Sequence, residues 1–145
     1  MWNVEVASDS DAKLGLAPKH REIDRNPPFR RIATEEAYER IGILHERINR
    51  SLDKMIADAG LPAHVVSVGG KGCVTFSTTP IRDYRDFLEI DDRYNHAHWL
   101  FQHNGGVFLP PWGKTEQWLI SVQHDDSDVD RFLGNFERFA KAVAS

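Results

Sequence analysis

The chain has 145 residues, the usual size of one domain, and 41% of them are hydrophobic, enough to build a core. Its mean hydropathy of -0.48, with no apolar run near the roughly 20 residues that cross a bilayer, argues against a membrane protein. A net charge of -4 with one adjacent basic pair, Arg30-Arg31, argues against nucleic acid, whose binding calls for a basic patch.

Residues 1–32 differ from the rest. Ser8-Asp9-Ser10-Asp11 is polar, Pro18 and Asn26-Pro27-Pro28 interrupt the chain, and the apolar residues have no period. This stretch reads as an irregular or flexible leader. Its start, Met1-Trp2-Asn3-Val4-Glu5, lacks the basic and then apolar character of a secretory signal. The single cysteine, Cys73, cannot form an internal disulfide, which suits a reducing, cytoplasmic setting.

From Thr34 the pattern becomes regular. Ala37, Ile41, Leu44, Ile48, Leu52, Met55 and Ala59 recur at steps of three and four, which predicts one long amphipathic helix. Thr34 can cap it, and Glu35 and Glu36 suit the positive end of its dipole. Gly60 can end it in the left-handed conformation, and Pro62 prevents its continuation.

The period then becomes two. Val66 and Val68 alternate about Ser67, Val74 and Phe76 about Thr75, and Gly69-Gly70-Lys71-Gly72 lies between, so the segment reads as a hairpin. A second helix is expected from near Asp83, with Phe87, Ile90, Tyr94, Ala97 and Phe101 on its buried face, ending at Asn104-Gly105-Gly106. Val107-Phe108-Leu109 reads as a short strand stopped by Pro110-Pro111. Residues 117–122 read as another, with Trp118, Ile120 and Val122 on one face. The last helix is expected from near Ser127, with Val129, Phe132, Leu133, Phe136, Ala140 and Val143 as its core stripe. The order predicts an α+β fold, a small and mainly antiparallel sheet with three helices packed on it.

Few residues announce chemistry. His96, His98 and His103 are the densest histidines, but no HExxH motif or cysteine cluster supports them as zinc ligands, so they read as helix-surface or partly buried side chains. The glycine-rich segment lacks phosphate-loop spacing and is followed by a strand. Cys73 has no base beside it in sequence and reads as a packed thiol. Trp112-Gly113-Lys114-Thr115-Glu116 reads as a polar turn between short apolar strands, the sort of place where a scaffold presents functional side chains.

Several segments in order resemble a known family. They are Ala33-Thr34-Glu35-Glu36-Ala37-Tyr38-Glu39-Arg40, then Ala59-Gly60-Leu61-Pro62, then Gly106-Val107-Phe108-Leu109-Pro110-Pro111. Glu116, Ser121-Val122-Gln123-His124 and Asp128-Val129-Asp130 complete the series. In this order residues 33–145 resemble the C-terminal small domain of the class III pyridoxal-phosphate-dependent aminotransferases, in the glutamate-1-semialdehyde 2,1-aminomutase branch. The resemblance implies amino-group transfer on pyridoxal phosphate. It also implies a larger domain that supplies the Schiff-base lysine, the carboxylate on the pyridine nitrogen and the phosphate site. Those motifs do not occur around Lys13, Lys19, Lys54, Lys71, Lys114 or Lys141. The expectation is therefore a truncated chain with no catalytic residue and no cofactor of its own, inactive without a partner large domain. The resemblance places Glu116 toward the substrate. The alternative is a binding or dimerisation module derived from that domain. In either case Phe108-Leu109-Pro110-Pro111-Trp112 is the expected association surface, with Trp112 as its anchor, and a homo-oligomer is expected.

Overall fold

The computed structural model describes residues 34–110 and 114–144. The leader expected over 1–32, and Pro111 and Trp112 of the expected association surface, lie outside the described residues. Contacts divide the chain into two units, Met1–Ala37 and Tyr38–Ser145, and the core described here belongs to the second.

Helix α1 spans Glu35–Ala59 and buries Leu44, Ile48, Leu52 and Ile56. Its cap is the expected one, the Ala37 amide donating to Thr34 Oγ1 at 3.2 Å. Its end is also as expected. Gly60 has φ +61°, its amide donates to Ala57 O, and the Leu61 amide donates to Ile56 O. These two bonds close the last turn and need a left-handed residue between them, which glycine adopts without Cβ strain.

Strands β1 (His64–Val68) and β2 (Lys71–Thr75) form a hairpin in which Val68 pairs with Lys71, so the loop is Gly69-Gly70 alone. Lys71 and Gly72 already belong to β2. The third strand, β3 (Gln117–Leu119), pairs antiparallel with β2, giving the order β1-β2-β3. The expected strand over 117–122 is shorter because Val122 sits in a turn. Residues 107–109 form no strand; Leu109 is buried there, while Phe108 stands exposed.

The expected second helix is two helices. Helix α2 (Tyr84–Leu88) is capped by Asp83, and α3 (Asp92–Asn104) by Asp91. Each aspartate accepts from backbone amides of the new first turn, and such a side-chain acceptor starts a helix better than it continues one. Ile90, in the break, is buried. Helix α4 spans Asp126–Val143, one residue earlier than expected. Asp125 is its cap, in a reciprocal arrangement with Asp128. Among the described residues, four helices and a three-stranded antiparallel sheet thus make the α+β fold.

One core joins the elements, with Leu52, Val74, Phe76, Trp118, Phe136 and Phe139 among its members. On the covered face of the sheet, Asn49 of α1 donates to Ser67 Oγ at 3.0 Å. Gly72 lies beneath the Trp118 ring; a Cβ there would sit 2.3 Å from a ring carbon, so only glycine fits. The opposite face is open. Registers Val66↔Cys73↔Gln117 and Val68↔Lys71↔Leu119 put these residues on it. Val66, Val68 and Leu119 are exposed, with Leu119 at 69%. The alternation expected for β1 is present, and Val66 and Val68 face out. Val65, beside Val74, takes the inner side.

Candidate functional site

Glu116 stands immediately before β3. It does not project into solvent from a polar turn, as the sequence suggests, but is buried at 3% exposure. It immediately precedes the strand that pairs with β2; Asp92 of α3 bears on its charge, and it in turn bears on the Cys73 thiol of β2. Oε2 accepts no hydrogen bond among the described residues. Burial, with Asp92 adding repulsion and only its own backbone N–H opposing, pushes the carboxyl up to about 7. A carboxyl titrating near neutrality can exchange a proton, or accept an ammonium group, under physiological conditions.

Its neighbours are fixed by the segment that leads into it. Lys114 Nζ donates to Ile90 O at 2.6 Å and pairs with Asp92 at 3.3 Å. The break between α2 and α3 thus exposes a carbonyl that anchors this segment. Cys73 is half-buried, its thiol 3.7 Å from Thr75 Oγ1. Burial raises it, the Thr75 and Thr115 hydroxyls and Lys71 oppose, and Glu116 adds to the rise, so the thiol stays un-ionised.

The Ser121-Val122-Gln123-His124 stretch is a turn that leads into α4. The Ser121 amide donates to His124 Nδ1 at 3.0 Å, and the Ser121 hydroxyl lies 3.0 Å from the same nitrogen. An amide can only donate, so Nδ1 accepts and the ring proton is on Nε2. His124 O accepts from Arg40 of α1 at 3.2 Å. Arg47 bonds Asp126 at 2.7 Å and also pairs with Asp130. The turn thus ties α1 to the start of α4. Beside it lies an apolar cavity of about 600 Å³, lined by Ile48, Phe108, Trp118 and Phe132, with Gln117, His124, Asp128 and Arg131 as polar members. Glu116 does not line it.

The three histidines do not form one site. His96 and His103 are exposed. His98, far from a helix surface, is 1% exposed and packs against Phe76, Phe132, Phe136 and Phe139. Gln102 Nε2 donates to its Nε2 at 3.2 Å, and burial alone takes the ring down to about 4. Gln102 also donates to Phe132 O at 3.0 Å, and its Oε1 accepts from Asn135 at 3.1 Å. Arg138 donates to Asn135 Oδ1 at 2.5 Å. This network between α3 and α4 escaped the sequence reading. Its one signal is the i,i+4 spacing of His98 and Gln102, which puts both on one helix face.

No family model matches the chain. The glutamate-1-semialdehyde 2,1-aminomutase of Thermomicrobium roseum is 33% identical over 107 residues, which is 74% of this chain and 24% of that protein. The aminomutase of Desulfatibacillum aliphaticivorans is 29% identical over 116 residues, 79% of this chain and 27% of that one. The chain therefore spans about a quarter of the length of these curated relatives. Among solved structures, a glutamate-1-semialdehyde aminomutase from Pseudomonas aeruginosa PAO1 in complex with PMP superimposes with a TM-score of 0.69. Its identity is 20%, and the match covers 78% of this chain and 25% of that one. In sequence and fold, this chain is similar to the C-terminal small domain of the class III pyridoxal-phosphate-dependent aminotransferases, on the side of the glutamate-1-semialdehyde 2,1-aminomutases.

Proposed function

We propose that the chain serves amino-group transfer as the C-terminal part of a pyridoxal-phosphate-dependent aminotransferase or aminomutase, in the cytoplasm, with Glu116 facing the substrate. The observation that carries this reading is the one-third identity to an aminomutase across three quarters of the chain. Glu116 adds to it, a buried carboxyl poised between proton donor and anion. Pyridoxal phosphate, when bound, supplies an electron sink for the carbon that carries the amino group.

Each of the four described lysines has a defined setting. Lys54 pairs with Asp58 and Lys141 with Glu137. Lys114 is held by Ile90 O and Asp92, and Lys71 stands exposed on β2. None of them lines the apolar cavity. A large domain, as the resemblance implies, would supply the cofactor site.

The test is a chimera in which this chain replaces the matching segment of the Thermomicrobium roseum aminomutase. Measurable aminomutase turnover is expected, reduced about tenfold or more by Glu116→Gln, the loss of one charge-assisted hydrogen bond. In parallel, the chain alone with pyridoxal phosphate should give no stoichiometric adduct after borohydride reduction. A folded but inert chimera, or a specific adduct on one lysine of the isolated chain, would overturn the reading.

A second reading, a dimerisation module derived from the same domain, draws on the exposed Val66, Val68 and Leu119 of the open sheet face and on exposed Phe108. It predicts a dimer by light scattering that persists on dilution and weakens in Leu119→Lys. A monomer at every concentration would exclude it.

A further inference from the structure

Four elements enclose the apolar cavity beside the 121–124 turn. Helix α1 gives Ile48, segment 107–110 gives Leu109, β3 gives Trp118 and α4 gives Phe132, all of them buried. Its volume of about 600 Å³ is that of a small-molecule site, which joins an apolar floor to a few polar groups. Here the polar groups stand open. Asp128 and Arg131 are three apart on α4, within reach of each other, yet they form no ion pair. Glu137 and Lys141 of the same helix close theirs. Arg131 has no hydrogen-bond or ion-pair partner among the described residues. Its guanidinium rests against Gly106, where φ is +79° and a Cβ would sit 3.2 Å from Nη1, so the charge stands beside the 107–110 wall. His124 Nδ1 accepts from the Ser121 amide, so Nε2 carries a proton to donate. Asp128 gives Oδ2 to the Asp125 amide at 3.0 Å, which leaves Oδ1 to accept.

We propose that this cavity binds a free α-amino acid with an apolar side chain: the side chain on the floor, the carboxylate on Arg131 and the His124 Nε2–H, and the ammonium on Asp128. The choice of ligand follows from the two open charges. An anion alone would meet Asp128, and a cation alone would meet Arg131. A neutral apolar molecule would cover both charges and pair neither, which is unfavourable. Only a zwitterion with an apolar body answers every group, and Gln117, an amide, can bond either end of it. The inference is separate from the transfer reading, because Glu116 does not line the cavity and no cofactor is called for.

The experiment is an NMR titration of the full chain with L-phenylalanine as the probe. Saturable shifts of the Trp118, His124 and Phe132 signals are expected, with a dissociation constant on the order of 1 mM. Three analogues each lack one part: 3-phenylpropionate the ammonium, 2-phenylethylamine the carboxylate, and L-alanine the apolar body. Each should bind about tenfold more weakly or worse. Arg131 is exposed, so Arg131→Gln should fold and weaken L-phenylalanine by a similar factor. Asp128→Asn, which keeps an acceptor for the Asp125 amide, should do the same; should it fail to fold, 3-phenylpropionate on the parent chain decides the ammonium contact. No saturable shift, any analogue binding as well as L-phenylalanine, or an unchanged affinity in Arg131→Gln overturns the proposal. An inert chimera leaves these titrations untouched, and absent binding leaves the transfer reading standing.

Discussion

Phe139→Ala is expected to cost about 3–5 kcal/mol of unfolding free energy, enough to leave little folded protein at a modest denaturant concentration. Phe139 has no exposed surface. Its ring meets Phe76 at 5.6 Å, His98 at 5.5 Å, Phe101 at 5.9 Å and Phe136 at 5.6 Å between centroids. Those partners come from α3, α4 and the end of β2, so no single element can collapse to fill the space left behind. Ile43→Ala, on the exposed side of α1, is the control and should change stability by no more than about 0.5 kcal/mol. Urea titrations of both variants settle the matter. A loss under about 1 kcal/mol for Phe139→Ala would mean that this aromatic cluster is not the core.

Acid is expected to weaken the fold through His98. Its buried ring is taken down to about 4 from the ordinary 6.5, so the unfolded chain binds the proton first. Stability is then complete above pH 6.5 and is lost as pH falls through 6.5 toward 4, by about 3 kcal/mol. The cause is geometric. The ring sits among four phenylalanines, and its Nε2 already accepts from Gln102, leaving no acceptor there for a second ring proton. Glu116 works in the opposite sense between pH 7 and 4.5, since its protonation favours the folded chain. The effect of His98 is therefore measured in a Glu116→Gln background, where denaturant midpoints should fall steadily with acid. Proton NMR of the His98 ring gives an independent reading, and titration near 6.5 would refute the prediction.

Where local chemistry decides, the sequence reads well. The Thr34 cap, the α1 stripe and the Gly60 stop each depend on residues a few positions apart, and all are found in place. Errors enter where tertiary packing chooses between local options. Residues 64–68 offer a valine to either face, and only the covering helix α1, through Asn49 and Ser67, selects Val65 for the inner one. Met55 and Ile56 compete for the α1 stripe, and the core takes Ile56. Asp91 reads as an ordinary polar position of a helix until the buried Ile90 shows why the chain must break there.

Glu116 could be singled out by its place in a family pattern, but its burial could not be foreseen. That burial depends on β2 and α3, which approach from 24 to 43 positions away in sequence. The full burial of His98 and the core place of Phe139 escaped notice for the same reason. A histidine in a polar helix face and one phenylalanine among several carry no local sign of what surrounds them.

The clasp between Arg40 and Arg47 of α1 and the His124–Asp130 corner joins groups 79 to 84 positions apart. During synthesis this has a consequence in time. At about 5–20 residues per second, α1 leaves the ribosome some 4–16 seconds before the residues that will cover its apolar stripe. Through that interval Leu44, Ile48, Leu52 and Ile56 face water or whatever else is at hand, which makes α1 a natural grip for a chaperone on the nascent chain.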